Sequence, residues 1–152
     1  MQSRDNSIME ADSLLVQQRY AQALDTFKCL IEISAAKLAF TPDDFNWQLL
    51  LLIRIQRVYR SLGAKTPAPL EKLIKYYEIV SRNYPGKGVI TLSREEAMIC
   101  ARVLEWLPKI GADNAVPPAD PAREKELVDG IYYLLGQNKD KYKLGVFYKK
   151  GF

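Results

Sequence analysis

Apolar side chains recur every three or four positions through the first quarter of the chain, from about Ile8 to Leu38. This spacing places them on one face of an α-helix, because 3.6 residues complete a helical turn. The pattern therefore predicts one long amphipathic first helix. Its apolar stripe consists of Val16, Tyr20, Leu24, Phe27, Ile31, Ala35 and Leu38.

A second predicted helix begins at Thr41 and Pro42, which supply an N-cap hydroxyl and a proline suited to the first helical position. It runs to about Leu62, where Gly63 can adopt the left-handed conformation that ends many helices. Because residues 49–53 are apolar on every face, we expect this helix to be the most enclosed.

A third predicted helix starts at Thr66 and Pro67 and ends before Pro85. Adjacent residues on a helix point about 100° apart, so only one ring of the pair Tyr76-Tyr77 is expected to face the core. The same applies to the later pair Tyr132-Tyr133. The buried stripe of this third helix is predicted to be Leu70, Leu73, Ile74, Tyr77, Val80 and Tyr84.

A fourth predicted helix opens at a capping box, Ser93 with Glu96, and closes before Gly111. Residues 112–122 form a proline-rich connector, and a fifth helix follows to about residue 136. The pattern thus predicts an all-α fold, a compact array of about five helices in a single domain over residues 1–152. The only β structure that the pattern suggests is a minor two-stranded ribbon, in which Val89–Leu92 would pair with the C-terminal segment.

The composition agrees with a globular protein, since 48% of the 152 residues are hydrophobic and 26% are charged. The longest strictly apolar run, Leu49 to Ile53, is too short for a membrane span of about 20 residues. The polar start has no secretory-signal pattern. Cys29 and Cys100 lie among apolar residues on predicted helices, so we expect both to be small, reduced core residues and the location to be cytoplasmic.

The chain contains no histidine, which removes histidine-activated nucleophiles and the common histidine-bearing zinc sites. The carboxylate pairs Asp43-Asp44 and Glu95-Glu96 fall in first turns of predicted helices, where acidic residues favour capping. The turn 86–88 lacks the upstream glycine and the Ser/Thr of a phosphate-binding loop. We therefore predict no enzyme, no catalytic residue, no cofactor and no metal, although glutamate, tyrosine and lysine can catalyse without histidine.

Charge is arranged in blocks along the chain, whose formal net charge is +4. Residues 45–87 carry 8 basic and 2 acidic side chains, and residues 139–152 carry 5 basic and 1 acidic. Residues 1–44 and 88–138 each have a net charge of −3. The two basic blocks predict surfaces that attract an acidic protein or a phosphate backbone.

In the first basic block, steps of three place Arg54, Arg57 and Arg60 on one broad helical face. Antiparallel packing of helices two and three would add further cations to this face. Internal pairing of Arg54 or Arg57 with acidic residues of helix one or four is the competing interpretation. The candidate partner-binding residues of this block are Arg54, Arg57, Arg60, Lys65, Lys72, Lys75, Arg82 and Lys87.

The second basic block, residues 139–152, is a tail in which lysines alternate with aromatic residues. This composition suits single-stranded nucleic acid, a partner's groove, or packing of the tail back onto its own domain. The candidate partner-binding residues of the tail are Lys141, Tyr142, Lys143, Phe147, Tyr148, Lys149 and Lys150.

These observations favour a non-enzymatic helical adaptor or regulator that binds a protein with an acidic surface. Direct binding of DNA or RNA by the same basic surfaces is the alternative. We expect no membrane association, and pairing of the long first helix with its copy would give a homo-oligomer. A small chain of this kind also suits a regulator of a virus or mobile element.

Overall fold

The computed structural model describes residues 4–34, 39–83 and 89–143. Within these ranges the chain forms six α-helices and one two-stranded antiparallel sheet, so the predicted all-α fold is confirmed. The helices are α1 (Arg4–Val16), α2 (Tyr20–Ser34), α3 (Pro42–Ser61), α4 (Ala68–Asn83), α5 (Arg94–Trp106) and α6 (Pro121–Gln137). The strands are β1 (Ala39–Phe40) and β2 (Ile90–Thr91).

The long first helix was predicted wrongly, because it is divided into α1 and α2. Gln18 takes the left-handed conformation with φ 61°. The N–H of Gln18 donates to the Leu15 carbonyl, and that of Arg19 donates to the Leu14 carbonyl, at 3.0 and 2.9 Å. This is the hydrogen-bond pattern of a Schellman helix end, which usually has glycine in the left-handed position. The glutamine at this position hides the break from sequence reasoning.

Side-chain contacts fix the relative directions of α1, α3, α4 and α6. Arg4 and Arg54 pair with Asp44 and Asp12, respectively, which makes α1 parallel to α3. The Ser81 hydroxyl donates to the Asn46 side chain over 2.9 Å, so the end of α4 lies beside the start of α3.

Helices α4 and α6 run in the same direction. Lys72 lies over the ring of Tyr132, and Asn138 donates to the Tyr76 hydroxyl. As a result, the C-terminal end of α3 and the N-terminal ends of α4 and α6 lie at one end of the array.

Capping explains where α3 and α5 begin. The hydroxyls of Thr41 and Ser93 each accept from the backbone N–H three residues later, at Asp44 and Glu96. Both carboxylates accept in return from the N-cap backbone, so the predicted capping role of these acidic residues is confirmed.

Two helix ends differ from prediction by a few residues. Helix α5 ends at Trp106 rather than just before Gly111, because Leu107 precedes Pro108 and adopts an extended ψ of 134°. Helix α4 begins at Ala68, one residue after Pro67.

The two-stranded ribbon exists, but its partner strand was predicted wrongly. Strand β2 pairs antiparallel with β1, and Phe40 lies opposite Ile90. Both of these side chains are buried in the core, so the pairing is supported by a packed apolar face. The part of the C-terminal segment from residue 144 onward lies outside the described residues.

The expectation that α3 is the most enclosed helix was wrong, because seven of its 20 residues are buried, against at least seven of the 16 in α4. Leu51, Leu52, Ile55 and Val58 are fully buried, whereas Leu50 stays partly exposed. No helix among the described residues is both long and apolar enough to cross a membrane.

Candidate functional site

The arginines of α3 do not form a single face in the structure. The Arg54 guanidinium donates to the Asp12 carboxylate of α1 over 3.0 Å, and both side chains are largely shielded from solvent. The competing interpretation, internal pairing with helix one, is therefore correct for Arg54. This pair anchors α1 to α3, and Arg54 is removed from the candidate contact residues.

The outward stripe of α4 alternates in sign rather than extending the basic face. It consists of Glu71, Lys75, Glu78 and Arg82, which recur at helical spacing and carry no net charge together. Lys75 pairs with Glu71 at 3.7 Å. The remaining cation of α4, Lys72, lies 5.7 Å from the ring centroid of Tyr132 in α6. The candidate residue Lys87 lies outside the described residues.

Three of the predicted cations remain exposed at the C-terminal end of α3. Arg57 and Arg60 are on its solvent side, and Lys65 follows in the connection to α4. The stretch 45–70 contains no acidic residue. Within residues 4–34, 39–83 and 89–143, none of the three forms an ion pair. We call Arg57, Arg60 and Lys65 the α3 basic surface.

The tail residues that the structure describes are largely taken up by internal contacts. Tyr142 has no exposed surface, so its assignment as a partner-binding residue was wrong. Lys141 pairs with the buried Glu96, whereas Lys143 is exposed. The candidates Phe147, Tyr148, Lys149 and Lys150 lie outside the described residues.

A buried carboxylate, Glu96, joins α4, α5 and the turn after α6. Only 2% of Glu96 is exposed. One carboxylate oxygen, Oε2, accepts from the hydroxyls of Tyr76 and Tyr142 at 2.8 and 2.6 Å. The other, Oε1, accepts from the Ser93 N–H at 2.9 Å and from Lys141 Nζ at 3.0 Å. Glu96, Tyr76, Tyr142 and Lys141 form what we call the Glu96 cluster.

The pKa of Glu96 reflects two opposing effects. Burial by itself raises the pKa of the carboxyl, but the hydrogen bonds from Ser93, Tyr142, Lys141 and Tyr76 outweigh it and lower the pKa below its ordinary value. Burial and the neighbouring carboxylate raise the pKa of Tyr76 well above that of a free tyrosine. Glu96 is thus held ionised in an enclosed site, where it anchors the C-terminal turn rather than facing a substrate.

Nothing in the sequence indicates that Glu96 accepts hydrogen bonds from Tyr76, Tyr142 and Lys141, because helix capping was already a sufficient reason for an acidic residue at this position. The expectation that one ring of Tyr76-Tyr77 faces outward was also wrong, since both are buried. Helix α4 packs against α3 on one side and against α5 and α6 on the other, so two adjacent positions can face inward. In the later pair, Tyr133 is exposed, as expected, and Tyr132 is half-buried.

A second chain of buried polar groups crosses four helices. The Gln48 amide donates to the Ser34 hydroxyl at 3.1 Å, and the Tyr77 hydroxyl donates to the Gln48 carbonyl oxygen at 3.0 Å. Tyr77 also interacts with Cys100, and burial raises the pKa of that thiol to about 11. The cysteine is therefore held as an inert thiol, which is a structural role.

The cavities on the described surface include two beside α6. One, of about 380 Å³, lies between α5 and α6 and is lined by Glu95, Met98, Ile99, Arg102, Gly130, Tyr133 and Leu134. The other, of about 320 Å³, lies at the start of α4 and is bordered by Lys65, Glu124 and the proline-rich connector. Within the described ranges, no group of three or more histidine, cysteine or acidic side chains is placed to hold a metal ion.

Comparison with known proteins adds no functional assignment. The chain matches no protein-family model, no curated protein sequence and no solved structure.

Proposed function

We propose that the protein is a non-enzymatic adaptor or regulator that acts in the cytoplasm by binding a protein with an acidic surface. The observation that carries the proposal is the α3 basic surface. Arg57, Arg60 and Lys65 are exposed and close in sequence, and the stretch 45–70 contains no acidic residue, although Lys65 shares a cavity with Glu124 of α6. Exposed charge of one sign steers an oppositely charged partner and raises the association rate.

The α3 basic surface by itself offers few cations to a nucleic acid. Three phosphate contacts give a slope of about −2.7 for log affinity against log salt, or about 40-fold weaker binding from 50 to 200 mM salt. Dedicated DNA-binding proteins make about 6 to 10 such contacts. The neutral outward stripe of α4 and the burial of Tyr142 further reduce what a nucleic acid could contact.

The residues after Lys143 provide a second contact element in this proposal. They retain the lysines and aromatic rings Phe147, Tyr148, Lys149 and Lys150. Because the Glu96 cluster fixes Lys141 and Tyr142 to α5, the chain leaves the described part of the protein from a defined position. Truncation after Lys143 removes this element and keeps the cluster.

The test compares two double variants with the same change in net charge. Arg57→Glu with Arg60→Glu reverses the α3 basic surface, and Arg94→Glu with Lys139→Glu reverses two exposed cations elsewhere. Affinity capture from the source cells, followed by mass spectrometry, identifies proteins that bind the wild type. The captured partner is then purified and its association rate measured by stopped flow.

We expect the first double variant to lower the association rate about tenfold or more, and the second to change it little. Circular dichroism should show that both variants are folded. Equal effects of the two variants would contradict the proposal. Anisotropy titration with labelled oligonucleotides at about 50 and 200 mM salt provides the second discrimination. Tight binding would favour the nucleic-acid alternative if log affinity fell with log salt much more steeply than the slope of about −2.7 expected for three phosphate contacts.

A further inference from the structure

The connection between α5 and α6 contains a short segment whose backbone conformation is restricted by proline. Residues 116–121 read Val-Pro-Pro-Ala-Asp-Pro. Each proline fixes its own φ near −65°, and each disfavours the helical conformation at the residue before it. The sequence therefore directs Val116, Pro117 and Asp120 towards extended or polyproline II geometry.

The backbone just before α6 is extended and has no regular secondary structure. Asp120 has φ −72° and ψ 112°, and the irregular stretch covers residues 115–120. Within the described parts of the chain, residues 116–119 make no backbone hydrogen bond, although the turn before them and α6 after them do. A polyproline II helix has three residues per turn and no internal hydrogen bonds.

Burial along the segment also follows a period of three. Val116 and Ala119 are half-buried and face the body of the protein, where Val116 packs against the core. Pro118 and Pro121 are exposed, as are Pro117 and Asp120. Residues 116 and 119 are thus turned inward, and the four other residues of the segment are available to a partner.

We propose that residues 116–120, together with Pro121 at the start of α6, are a polyproline II ligand presented to a partner protein whose groove is lined by aromatic rings. Domains of this kind bind the pattern P-x-x-P, in which each proline and the residue before it fill one pocket. Here the two dipeptides are Pro117-Pro118 and Asp120-Pro121, and both are exposed. The residue between them, Ala119, faces inward and remains outside the contact.

The protein holds the segment in the conformation that such a groove binds. Packing of Val116 anchors its start, and its end is fixed because the Asp120 side chain accepts from the Ala122 N–H at 3.1 Å as the cap of α6. Less conformational entropy is then lost on binding than for a free peptide.

A cation next to the motif gives the partner a preferred chemistry. Arg123 lies two residues after Pro121, and its guanidinium is partly exposed and pairs with the exposed Glu126. A carboxylate at one end of the partner's groove can replace Glu126 as the acceptor. The segment is therefore expected to prefer an aromatic groove that ends in an acidic pocket.

The test is a calorimetric titration of the full-length chain with an SH3 domain that has an acidic specificity pocket. We expect saturable binding that Pro118→Ala or Pro121→Ala weakens at least about tenfold. Pro117→Ala is the matched control, because it removes a proline from a position that accepts other residues, and its effect should stay within about threefold. Circular dichroism establishes that each variant is folded.

Absence of saturable binding, or equal weakening by Pro118→Ala and Pro117→Ala, would overturn the proposal. The inference does not use Arg57 or Arg60, although Lys65 of the α3 basic surface lines the same cavity as Val116 and Pro117. Binding of the SH3 domain should be unchanged in the Arg57→Glu, Arg60→Glu double variant, so failure of one proposal does not imply failure of the other.

Discussion

Substitution of Glu96 by glutamine tests whether the Glu96 cluster stabilises the fold. Glutamine has the same size but is neutral, and its amide nitrogen donates. On the Oε1 side, the Ser93 N–H and the Lys141 ammonium can only donate. The glutamine carbonyl must therefore point to this side. Its amide nitrogen then faces the hydroxyls of Tyr76 and Tyr142, which must rotate to accept.

The size of the effect follows from the three side-chain hydrogen bonds that lose a charged acceptor. A hydrogen bond to a charged group contributes about 1.5–3 kcal/mol, against about 1 kcal/mol between neutral groups. A loss of about 1 kcal/mol from each of the bonds from Tyr76, Tyr142 and Lys141 gives about 3 kcal/mol in all. In a chain of this size, 1 kcal/mol shifts Tm by about 2–4 °C, so we expect Tm to fall by about 6–12 °C.

Thermal unfolding followed by circular dichroism at neutral pH measures this change. Glu95→Gln is the matched control, because Glu95 lies in the same helical turn but is exposed. It loses only the interaction of a carboxylate with the helix N-terminus, about 0.3–1 kcal/mol. If the two variants melt within about 2 °C of one another, the cluster does not stabilise the fold and our reasoning is refuted.

The pH dependence gives an independent check. The pKa of Glu96 is lowered in the folded state, so its ionised form contributes stability above the unfolded-state pKa. That contribution is lost as the pH falls through the folded-state pKa. The difference in Tm between wild type and Glu96→Gln should therefore narrow below about pH 4. An undiminished difference at about pH 2 would contradict the assignment of an ionised Glu96.

Three further predictions concern other parts of the fold. Gln18→Gly should raise stability by about 1 kcal/mol in urea unfolding, because glycine relieves the cost of a positive φ. A double-mutant cycle on Arg54 and Asp12 should give a coupling of about 1 kcal/mol, whereas an isolated surface pair could give none. Maleimide should label the exposed Cys29 rapidly and the buried Cys100 only on unfolding, as mass spectrometry of the native protein would show.

Several features of the fold could be predicted from local sequence because their causes are local. The starts of α3 and α5 depend on a hydroxyl and an acidic residue three positions apart, which the sequence displays directly at Thr41 and Ser93. In contrast, the end of α1 depends on a left-handed Gln18, a residue with no strong local preference for that conformation.

The candidate surface was harder to predict because charge in a sequence does not reveal its partners. Arg54 and Arg57 are three residues apart on one helix, yet only Arg54 lies opposite Asp12 of α1. The distance between residues 12 and 54 along the chain hides this pairing. The same reason applies to Tyr142 and Glu96, which are joined only when the turn after α6 folds back onto α5.

The sequence alone determined the helical class, the caps, the polyproline restriction at residues 116–121 and the overall excess of positive charge. Each of these depends on residues close together in the chain or on simple composition. The tertiary structure alone decided which cations remain exposed, which tyrosines are buried and which strand completes the ribbon. Those outcomes depend on which helices pack together, because burial and ion pairing are set by neighbours that are distant in sequence.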